Sequence, residues 1–529
     1  MWKSFTCLLC VILFVFLILE FRERYKRLSS MILKFLERQI LFHPYLTAFI
    51  VVFAVYWYFS RKRCTLPGPR GLPILGNVSF VGKKEPWIQY TELSQTYGEI
   101  FQVPLGPQTI VVLNSTQVMQ EVLSLPTFSG RPHLLAFDVF VESGPSRFAF
   151  KTGDPHWQFL RKTARRSLSL FASSRNSKLL KVVQDSFEAF SNDIDEHLGK
   201  PWDPQTSIVK SVGGVIGSVL FGFEFDPNNQ LLEKLIETTA VIGRFVSTTS
   251  LANYVPFNRF FYRKRIQEFR NAMEPVQQLA HPLIRASQYD GSETEVKDVM
   301  DGLAKVATEI SQEERERYHV TDEHIKFIAE DLFGAGFATT MESFRWILNL
   351  MAAFPDKQNK VHEELDAVLK GDSAEMSDER KLPYTMATIN EMFRFASLIP
   401  LSLPHSAMED TIFRGYFIPK DTLVFTNLWG IHHDPIRFKN PFTFNPERFI
   451  TNDGQLNELT QYVLPFGLGK RRCVGEGLAR QEIFLLFVAT MQKYRVQPAP
   501  GVKPDVDNAY PGFNRPPLRW PMVFYRRQN

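Results

Sequence analysis

Near its carboxyl end the chain reads Pro465-Phe466-Gly467-Leu468-Gly469-Lys470-Arg471-Arg472-Cys473-Val474-Gly475. This stretch sets one cysteine among glycines and arginines. The thiolate is the form of cysteine that binds metals, and neighbouring cations and backbone N–H groups favour it. Gly469 and Gly475 would let the backbone approach a large group that a side chain would keep away. The pattern predicts a metal-binding cysteine; the alternative is a buried structural cysteine in a glycine-rich turn.

The other cysteines exclude two further kinds of site. The chain has four cysteines, and Cys7, Cys10 and Cys64 lie in or beside the N-terminal hydrophobic region. Cys473 therefore has no second thiolate at the spacing of zinc ligands. A single cysteine in the body of the chain also excludes a disulfide framework there, which indicates a reducing compartment.

The order Phe466-x-x-Gly469-x-Arg471-x-Cys473-x-Gly475 is that of the haem-binding loop of the cytochrome P-450 family. The chain resembles this family from Leu66 to near its C-terminus. The resemblance implies a mainly α fold with a small β region and one haem b, whose iron takes the Cys473 thiolate. It also implies that Phe466 and Arg471 contact the cofactor. A phosphate loop at Gly467–Lys470 is disfavoured, because no Ser or Thr follows the lysine.

Composition agrees with one large globular body. The chain has 529 residues, of which 44% are hydrophobic and 22% charged, and its net charge is +5. No run of Lys and Arg with interleaved aromatic residues is present, so nucleic acid is not an expected partner. The 47 phenylalanines suit an apolar core and an apolar pocket. We predict a membrane-anchor region at 1–63, a proline-rich hinge at 64–73 and a catalytic domain at 74–529.

Two apolar runs, at 5–19 and 40–60, precede the body. Arg61, Lys62 and Arg63 follow the second run, which places the catalytic domain on the cytosolic face of the endoplasmic reticulum by the positive-inside rule. A buried core helix is the alternative for that run. If both runs spanned the membrane, the basic segment between them would violate the same rule. Either the first run lies at the interface, or translation starts at Met31 rather than Met1.

A long helix is predicted from Thr321, an N-cap candidate, to Phe354, where Pro355 would stop it. By resemblance, its turn Ala335-Gly336-Phe337-Ala338-Thr339-Thr340 borders the site of oxygen activation. The resemblance makes Ala335, Gly336 and Thr339 the catalytic candidates.

The chain departs from the family pattern at Ala338, where an acid helps the following threonine to deliver protons. Alanine cannot relay a proton. Asp331 lies eight residues before Thr339 on about the same helix face and could substitute through water. The alternative for Asp331 is a solvated or structurally paired acid.

Glu391 and Arg394 occupy positions i and i+3 and are neighbours on one helical face. By resemblance, Arg448 in Phe444-Asn445-Pro446-Glu447-Arg448 joins them in a buried ion-pair network behind the haem. Alone, Glu-x-x-Arg could be a surface pair that contributes little. We assign this network to folding rather than to catalysis.

The two haem propionates need cations and hydrogen-bond donors. Trp157 and Arg161 are one helical turn apart, and Arg131 and His405 match further family propionate partners. Arg471 is the fifth candidate. Each could instead be an ordinary polar residue of the surface or core.

No flavin or nicotinamide module is recognisable in the sequence, so electrons must come from another protein. The resemblance implies that this donor is NADPH–cytochrome P-450 reductase, with cytochrome b5 as a further candidate. Its predicted landing face consists of Arg161, Lys162, Arg165, Arg166, Lys470, Arg471, Arg472 and Arg480. An ordinary solvated face is the alternative. The aromatic stretch 254–261 resembles the family loop that dips into the membrane, with core packing as the alternative.

The leading hypothesis is a membrane-bound monooxygenase of a lipophilic substrate that is steroid-like, fatty or polyaromatic. The stretches 399–406 and 416–420 resemble the microsomal animal branch with aryl-hydrocarbon and steroid 17-hydroxylating members. Pocket lining is expected from 137–140, 333–337 and 399–403. A haem-thiolate isomerase or dehydratase acting on a peroxide is the alternative that Ala338 favours, and a non-enzymatic haem sensor is the third.

Overall fold

The computed structural model describes residues 62–72, 76–77, 85–106, 108–174, 176–222, 230–246, 253, 260, 262–286 and 296–528. Residues Cys64–Asn529 form one compact unit. The predicted apolar runs at 5–19 and 40–60 lie outside the described residues, as do both candidate start sites. Within the described ranges, no helix is both long and apolar enough to cross a membrane.

The described chain is mainly helical, as the sequence predicts. The helices are α1 Pro86–Tyr97, α2 Thr116–Ser124, α3 Leu135–Glu142, α4 Pro155–Ser174, α5 Asn176–Glu196, α6 Gln205–Phe221, α7 Gln230–Val246, α8 Arg263–Ala286, α9 Val299–Glu309, α10 Gln312–Tyr318, α11 Asp322–Lys326, α12 Ile328–Ala353, α13 Pro355–Leu369, α14 Pro383–Ala396, α15 Leu428–His432 and α16 Glu476–Lys493.

Within the described residues, the small β region consists of one four-stranded sheet and two two-stranded sheets. Its strands are β1 Ile100–Leu105, β2 Gln108–Leu113, β3 His405–Ser406, β4 Thr411–Phe413, β5 Tyr416–Ile418, β6 Leu423–Thr426, β7 Tyr494–Pro498 and β8 Met522–Arg526. The four-stranded sheet has the order β1-β2-β6-β3, in which β2 and β6 are parallel and the other pairs antiparallel. Strands β4 and β5 form one antiparallel pair, and β7 and β8 the other.

Helix α12 is the central element of the main core. All residues from 340 to 352 are buried, polar ones included, as expected for a helix surrounded by protein on every side. It packs against α6, α14 and α16. This burial fixes the position of the turn at 334–339, which the sequence singles out for catalysis.

The prediction of one continuous helix from Thr321 to Phe354 is wrong in its first part. Thr321 is an N-cap, and its hydroxyl accepts a hydrogen bond from His324 N at 3.3 Å. It caps the short α11, however, which ends at Lys326, and α12 begins at Ile328 after a break at Phe327. Pro355 does stop α12, and it also begins α13 as the first helical residue, a position that suits proline.

A buried carboxyl group in α16 should make stability depend on pH. Glu482 is 1% exposed, and its Oε1 has no hydrogen-bond partner within the described residues. Burial raises the pKa of Glu482 to about 8 from 4.5. Between these values the unfolded chain loses a proton that the folded chain keeps, so stability falls as pH rises. We expect Glu482→Gln to stabilise the protein by about 2–4 kcal/mol at pH 8 and hardly at all at pH 4.5.

Thermal unfolding of the purified protein at the two pH values would measure this difference. Glu363→Gln is the matched control, because Glu363 is exposed on α13 and its replacement should change stability equally little at both pH values. No gain from Glu482→Gln at pH 8 would contradict the assignment of a buried, protonated carboxyl group.

Candidate functional site

The cysteine loop precedes α16 and is held against α2. Gly469 has a φ of +71°, and a Cβ there would lie 2.0 Å from the carbonyl oxygen of Leu123 in α2. Any other residue would therefore strain the backbone and also collide with α2. Cys473 N donates to the carbonyl of Phe466 at 2.9 Å, which closes the loop on itself. Glycine is therefore required at position 469 by its positive φ and by the close approach of α2.

The Cys473 side chain is exposed by surface area, yet protein atoms crowd around it. Burial raises the pKa of its thiol, whereas the backbone N–H groups of Gly475 and Glu476 and the Arg161 guanidinium lower it. The thiol therefore lies in a recess of the protein rather than on its outer surface. Among the described residues no cluster of three or more His, Cys, Asp or Glu side chains could hold a metal ion, so Cys473 is the candidate ligand.

Arg471 is held on three sides. Its Nε donates to Ser129 O at 2.9 Å, its Nη2 donates to Lys151 O at 2.6 Å, and its guanidinium carbon lies 3.7 Å from the ring centre of Trp157. Its Nη1 is buried and has no partner in the described part of the chain. This side chain therefore belongs to an internal site and not to a basic outer face, as the sequence also allowed.

Arg131 and His405 lie in the same site. Arg131 donates to Ala149 O at 3.0 Å, Leu403 O at 3.1 Å and Pro404 O at 2.7 Å. His405 Nδ1 donates to the carbonyl of Phe128 at 2.8 Å. Burial and the Arg131 charge lower the pKa of His405 well below its usual value, so the ring is neutral and this bond sets the tautomer in which Nε2 accepts.

Trp157 and Arg161 share one face of α4, and the Arg161 guanidinium carbon lies 5.8 Å from the Trp157 ring centre. Arg161 also donates to the carbonyl of Arg472, next to Cys473. The structure therefore brings together all five cation and donor candidates, from four segments of the chain.

Behind the cysteine loop, Glu391 and Arg394 form the predicted buried network with Arg448. Both side chains of the α14 pair are 0% exposed, with Arg394 Nε 2.7 Å from Glu391 Oε2. Arg448 Nε lies 3.1 Å from Glu391 Oε1. Arg394 Nη1 donates to the carbonyls of His432 and Pro441, both at 2.8 Å. The network therefore ties α14 to His432 and to the segment 441–448.

Sequence reasoning missed His432, which connects this network to the cysteine loop. Its Nε2 accepts from Leu464 N at 2.9 Å, directly before Pro465, and its Nδ1 bonds the Ser397 hydroxyl at 2.9 Å. Burial and the Arg394 charge lower the pKa of His432 to about 3, so the ring is neutral. A single histidine without a spacing pattern gives no signal in the sequence.

The candidate catalytic turn of α12 faces open space. Gly334 and Ala335 are exposed although Leu332, Phe333 and Phe337 around them are buried, and a Cβ at Gly334 would meet nothing within 4 Å. Thr339 Oγ1 donates to Ala335 O at 2.8 Å. Gly336 packs on α6, where a Cβ would lie 3.0 Å from Ile216 Cδ1. The aromatic side chains of this turn, expected to line a pocket, instead pack in the core.

Asp331 is a structurally paired acid. Its carboxylate accepts from Phe148 N at 2.8 Å and Ser146 Oγ at 3.0 Å, and it lies 3.2 Å from Arg147 Nη1. Burial raises the pKa of Asp331 to about 6, although Arg147 opposes this. Because both oxygens are engaged by the 146–148 segment, the geometry favours the structural alternative over a substitute proton donor for Ala338.

A family model for cytochrome P450 matches residues 66–522. This chain belongs to the cytochrome P450 family. It is 34% identical over 468 residues to cytochrome P450 1A1 of Opsanus tau, and the alignment covers 84% of this chain and 88% of that protein. It is 32% identical over 485 residues to cytochrome P450 1A1 of Macaca mulatta, covering 88% and 94%. The resemblance to the animal microsomal branch is thereby confirmed.

Cytochromes P450 are monooxygenases that carry a haem b with an axial cysteine thiolate, and the residues present fit that group. Burial lowers the pKa of Arg471 to about 7, of Arg131 to about 9 and of Arg161 to about 10, and repulsion by neighbouring arginines adds to each. Such a buried excess of positive charge needs an anion. Two propionates would supply it and would also give the buried Arg471 Nη1 a partner.

The remaining basic side chains of this P450 are partly neutralised. Arg472 and Arg480 both pair with Glu476, at 2.6 and 3.1 Å, and Arg166 pairs with Glu309. Lys162, Arg165 and Lys470 are exposed. The predicted reductase face is therefore smaller than the sequence suggests.

A cavity of about 680 Å³ lies between α3, α7 and α8, and its lining includes the charged residues Lys234, Glu237 and Arg265. None of the predicted catalytic or haem-binding residues lines this cavity, although Phe245 of α7 does. Of the predicted membrane-dipping loop 254–261 the structure describes Phe260, which is 71% exposed.

Proposed function

We propose that this P450 is a monooxygenase of flat, lipophilic, polyaromatic substrates, anchored in the endoplasmic reticulum membrane with its catalytic domain in the cytosol. Cys473 would supply the thiolate ligand of the haem iron. Arg131, Trp157, Arg161, His405 and Arg471 would hold the haem propionates, and Phe466 would pack beside the haem. The fit of the buried positive charge to two carboxylates supports this assignment.

One observation carries the choice of substrate class. A continuous series of ring contacts runs from Phe150 to Phe140 (4.4 Å between centres), on to Phe269 (5.7 Å) and then to Phe245 (4.5 Å). Phe140, Phe150 and Phe245 are only partly buried, so they keep ring surface for a ligand. Offset or edge-on contacts between rings contribute about 0.5–1.5 kcal/mol each beyond area burial. A fatty chain would gain none of this.

The haem supplies the oxygen chemistry, and thiolate donation favours O–O cleavage. The chain's own residues bind, orient and manage protons. The aromatic series holds the substrate ring, and the exposed Gly334 and Ala335 leave open space at the catalytic turn. Thr339 Oγ1 holds its proton toward Ala335 O, so its lone pairs are free to accept from water. Proton delivery at this turn runs through water, because Ala338 has no proton to give.

Electrons come from NADPH–cytochrome P-450 reductase, with cytochrome b5 as a second donor. The exposed Lys162, Arg165 and Lys470 support a landing site for an acidic partner near the cysteine loop.

The substrate class is tested by optical titration of the purified haem protein. We expect phenanthrene to bind at least about tenfold more tightly than a fatty acid of similar carbon number, because two or more ring contacts are gained. A sterol serves as the bulky apolar control. Tighter binding of the fatty acid would contradict the aromatic assignment.

Restoring an acid at position 338 should improve the use of electrons. For Ala338→Asp we expect a larger share of the NADPH consumed to appear as oxidised product, by a factor of about 10, and less peroxide release. Ala338→Asn is the matched control, since it has the same shape but cannot relay a proton. Equal product yields in the two variants would show that proton supply is not limited at this turn.

A haem-thiolate isomerase or dehydratase is the second candidate, and the combination of Ala338 with the engaged Asp331 favours it. Such an enzyme would consume a lipid peroxide without NADPH or reductase. The basic face argues against it, because an isomerase has no use for an electron donor.

A further inference from the structure

Arg147 has an unusual backbone in the segment between α3 and α4. Its φ is +45° although it is not glycine, and the residue is 2% exposed. A left-handed conformation of this kind is unfavourable for a residue that carries a side chain, and it persists where the surroundings over-determine it. The contacts of the Arg147 side chain are what over-determine it.

The guanidinium bridges two acids in the first turn of α12. Arg147 Nη2 lies 2.7 Å from Glu330 Oε1, and Nη1 lies 3.2 Å from Asp331 Oδ1. The three side chains are 2%, 1% and 4% exposed, so water does little to screen their attraction. Loss of one partner from a buried pair leaves an uncompensated charge, which is strongly unfavourable.

Further hydrogen bonds fasten the same segment to α12 and α8. Asp331 Oδ2 accepts from Ser146 Oγ and Phe148 N. Gln277 of α8 donates to Ser143 O at 3.1 Å, and His281 Nε2 lies 3.3 Å from Glu330 Oε2. One buried arginine therefore lies at the meeting point of three parts of the fold.

Both ends of this segment lead to the proposed site. At one end, the Arg147 guanidinium lies 5.1 Å from the ring centre of Phe140, which contacts Phe150 in the aromatic series. At the other end, Ala149 O and Lys151 O accept from Arg131 and Arg471. Displacement of the segment would therefore move two things at once: the aromatic series that is proposed to hold the substrate, and the carbonyls that orient Arg131 and Arg471.

We propose that Arg147 is a positioning residue: with Glu330 and Asp331 it latches segment 143–151 onto α12 and so determines which carbon of an aromatic substrate is oxidised. The latch itself follows from the geometry, whereas the effect on the product rests on the proposed function. The two claims are therefore measured separately.

Hydrogen–deuterium exchange of the purified full-length protein tests the latch without any turnover. In Arg147→Met, backbone amides of 143–151 should exchange roughly tenfold faster or more, because a buried ion-pair partner is lost. Arg147→Lys keeps the charge but lacks the planar fork; it should show a smaller increase, and it keeps the test valid if the methionine variant fails to fold. Arg345→Met is the matched control, since Arg345 is also buried but pairs with Asp203. It should leave exchange at 143–151 unchanged.

The product side is tested with phenanthrene, reductase and NADPH. We expect the ratio of positional products to change by about threefold or more in the Arg147 variants, at equal haem content, and to stay at the wild-type value in Arg345→Met. Unchanged exchange at 143–151 in both Arg147 variants would overturn the latch. Faster exchange with an unchanged product ratio would overturn the positioning role. If the wild-type protein does not oxidise phenanthrene, the proposed substrate fails while the exchange result still decides the latch.

Discussion

Replacing Arg394 by methionine is expected to lower the free energy of unfolding by about 3–5 kcal/mol, because it leaves the carboxylate of Glu391 buried without its closest partner. Both side chains are 0% exposed, so no water can replace the lost contact. The same substitution removes the donor of the His432 and Pro441 carbonyls, and the ring of His432 in turn accepts from Leu464 N just before the cysteine loop. Denaturant unfolding followed by circular dichroism and by haem absorbance measures the loss.

Arg414→Met is the matched control for this prediction. Arg414 also joins two acids, Glu99 at 2.7 Å and Glu121 at 2.8 Å, but its side chain is 31% exposed. Solvent screening limits such pairs to at most about 1 kcal/mol. Equal losses in the two variants would mean that the buried network does not stabilise the fold beyond what a surface pair does.

Replacing Cys473 by serine is expected to abolish oxygen insertion into any substrate, because an alcohol does not supply the electron donation of a thiolate. The reduced carbon monoxide complex should lose the red-shifted absorption of thiolate-ligated haem. Haem retention should fall as well, since the coordinate bond between the thiolate and the iron is lost.

Cys64→Ser is the control, because Cys64 is the other cysteine in the described part of the chain and is buried. It should keep the thiolate spectrum and the activity. Retention of the thiolate spectrum in Cys473→Ser would contradict the assigned ligand.

Features that depend on neighbours in the sequence were predicted well. The N-cap at Thr321 and the Glu391–Arg394 pair at i and i+3 follow from local geometry, and the structure confirms both. Gly469 permits a close approach as predicted, but the approaching group is the Leu123 carbonyl of α2. The resemblance added the long-range grouping of Arg131, Trp157, Arg161, His405 and Arg471, which the structure brings together. Spacing alone could not have grouped residues so far apart in the chain.

Features that depend on tertiary contacts were missed. The partner of Asp331 is Arg147, 184 residues earlier, and no local pattern links them. The break at Phe327 interrupts a stretch that reads as one helix, and the phenylalanine lies buried in the core beside His281. His432 likewise gains its role from Leu464 and Ser397, which only folding brings near.

The central claim is monooxygenation, and incorporation of labelled oxygen tests it most directly. Membranes containing this P450 and a reductase would receive isotopically labelled O2, NADPH and a panel of polyaromatics, sterols and fatty acids. We predict polyaromatic products that carry one labelled oxygen atom and form only when NADPH is present. Absence of label from every product, with a lipid peroxide consumed in the absence of NADPH, would contradict it and favour the isomerase.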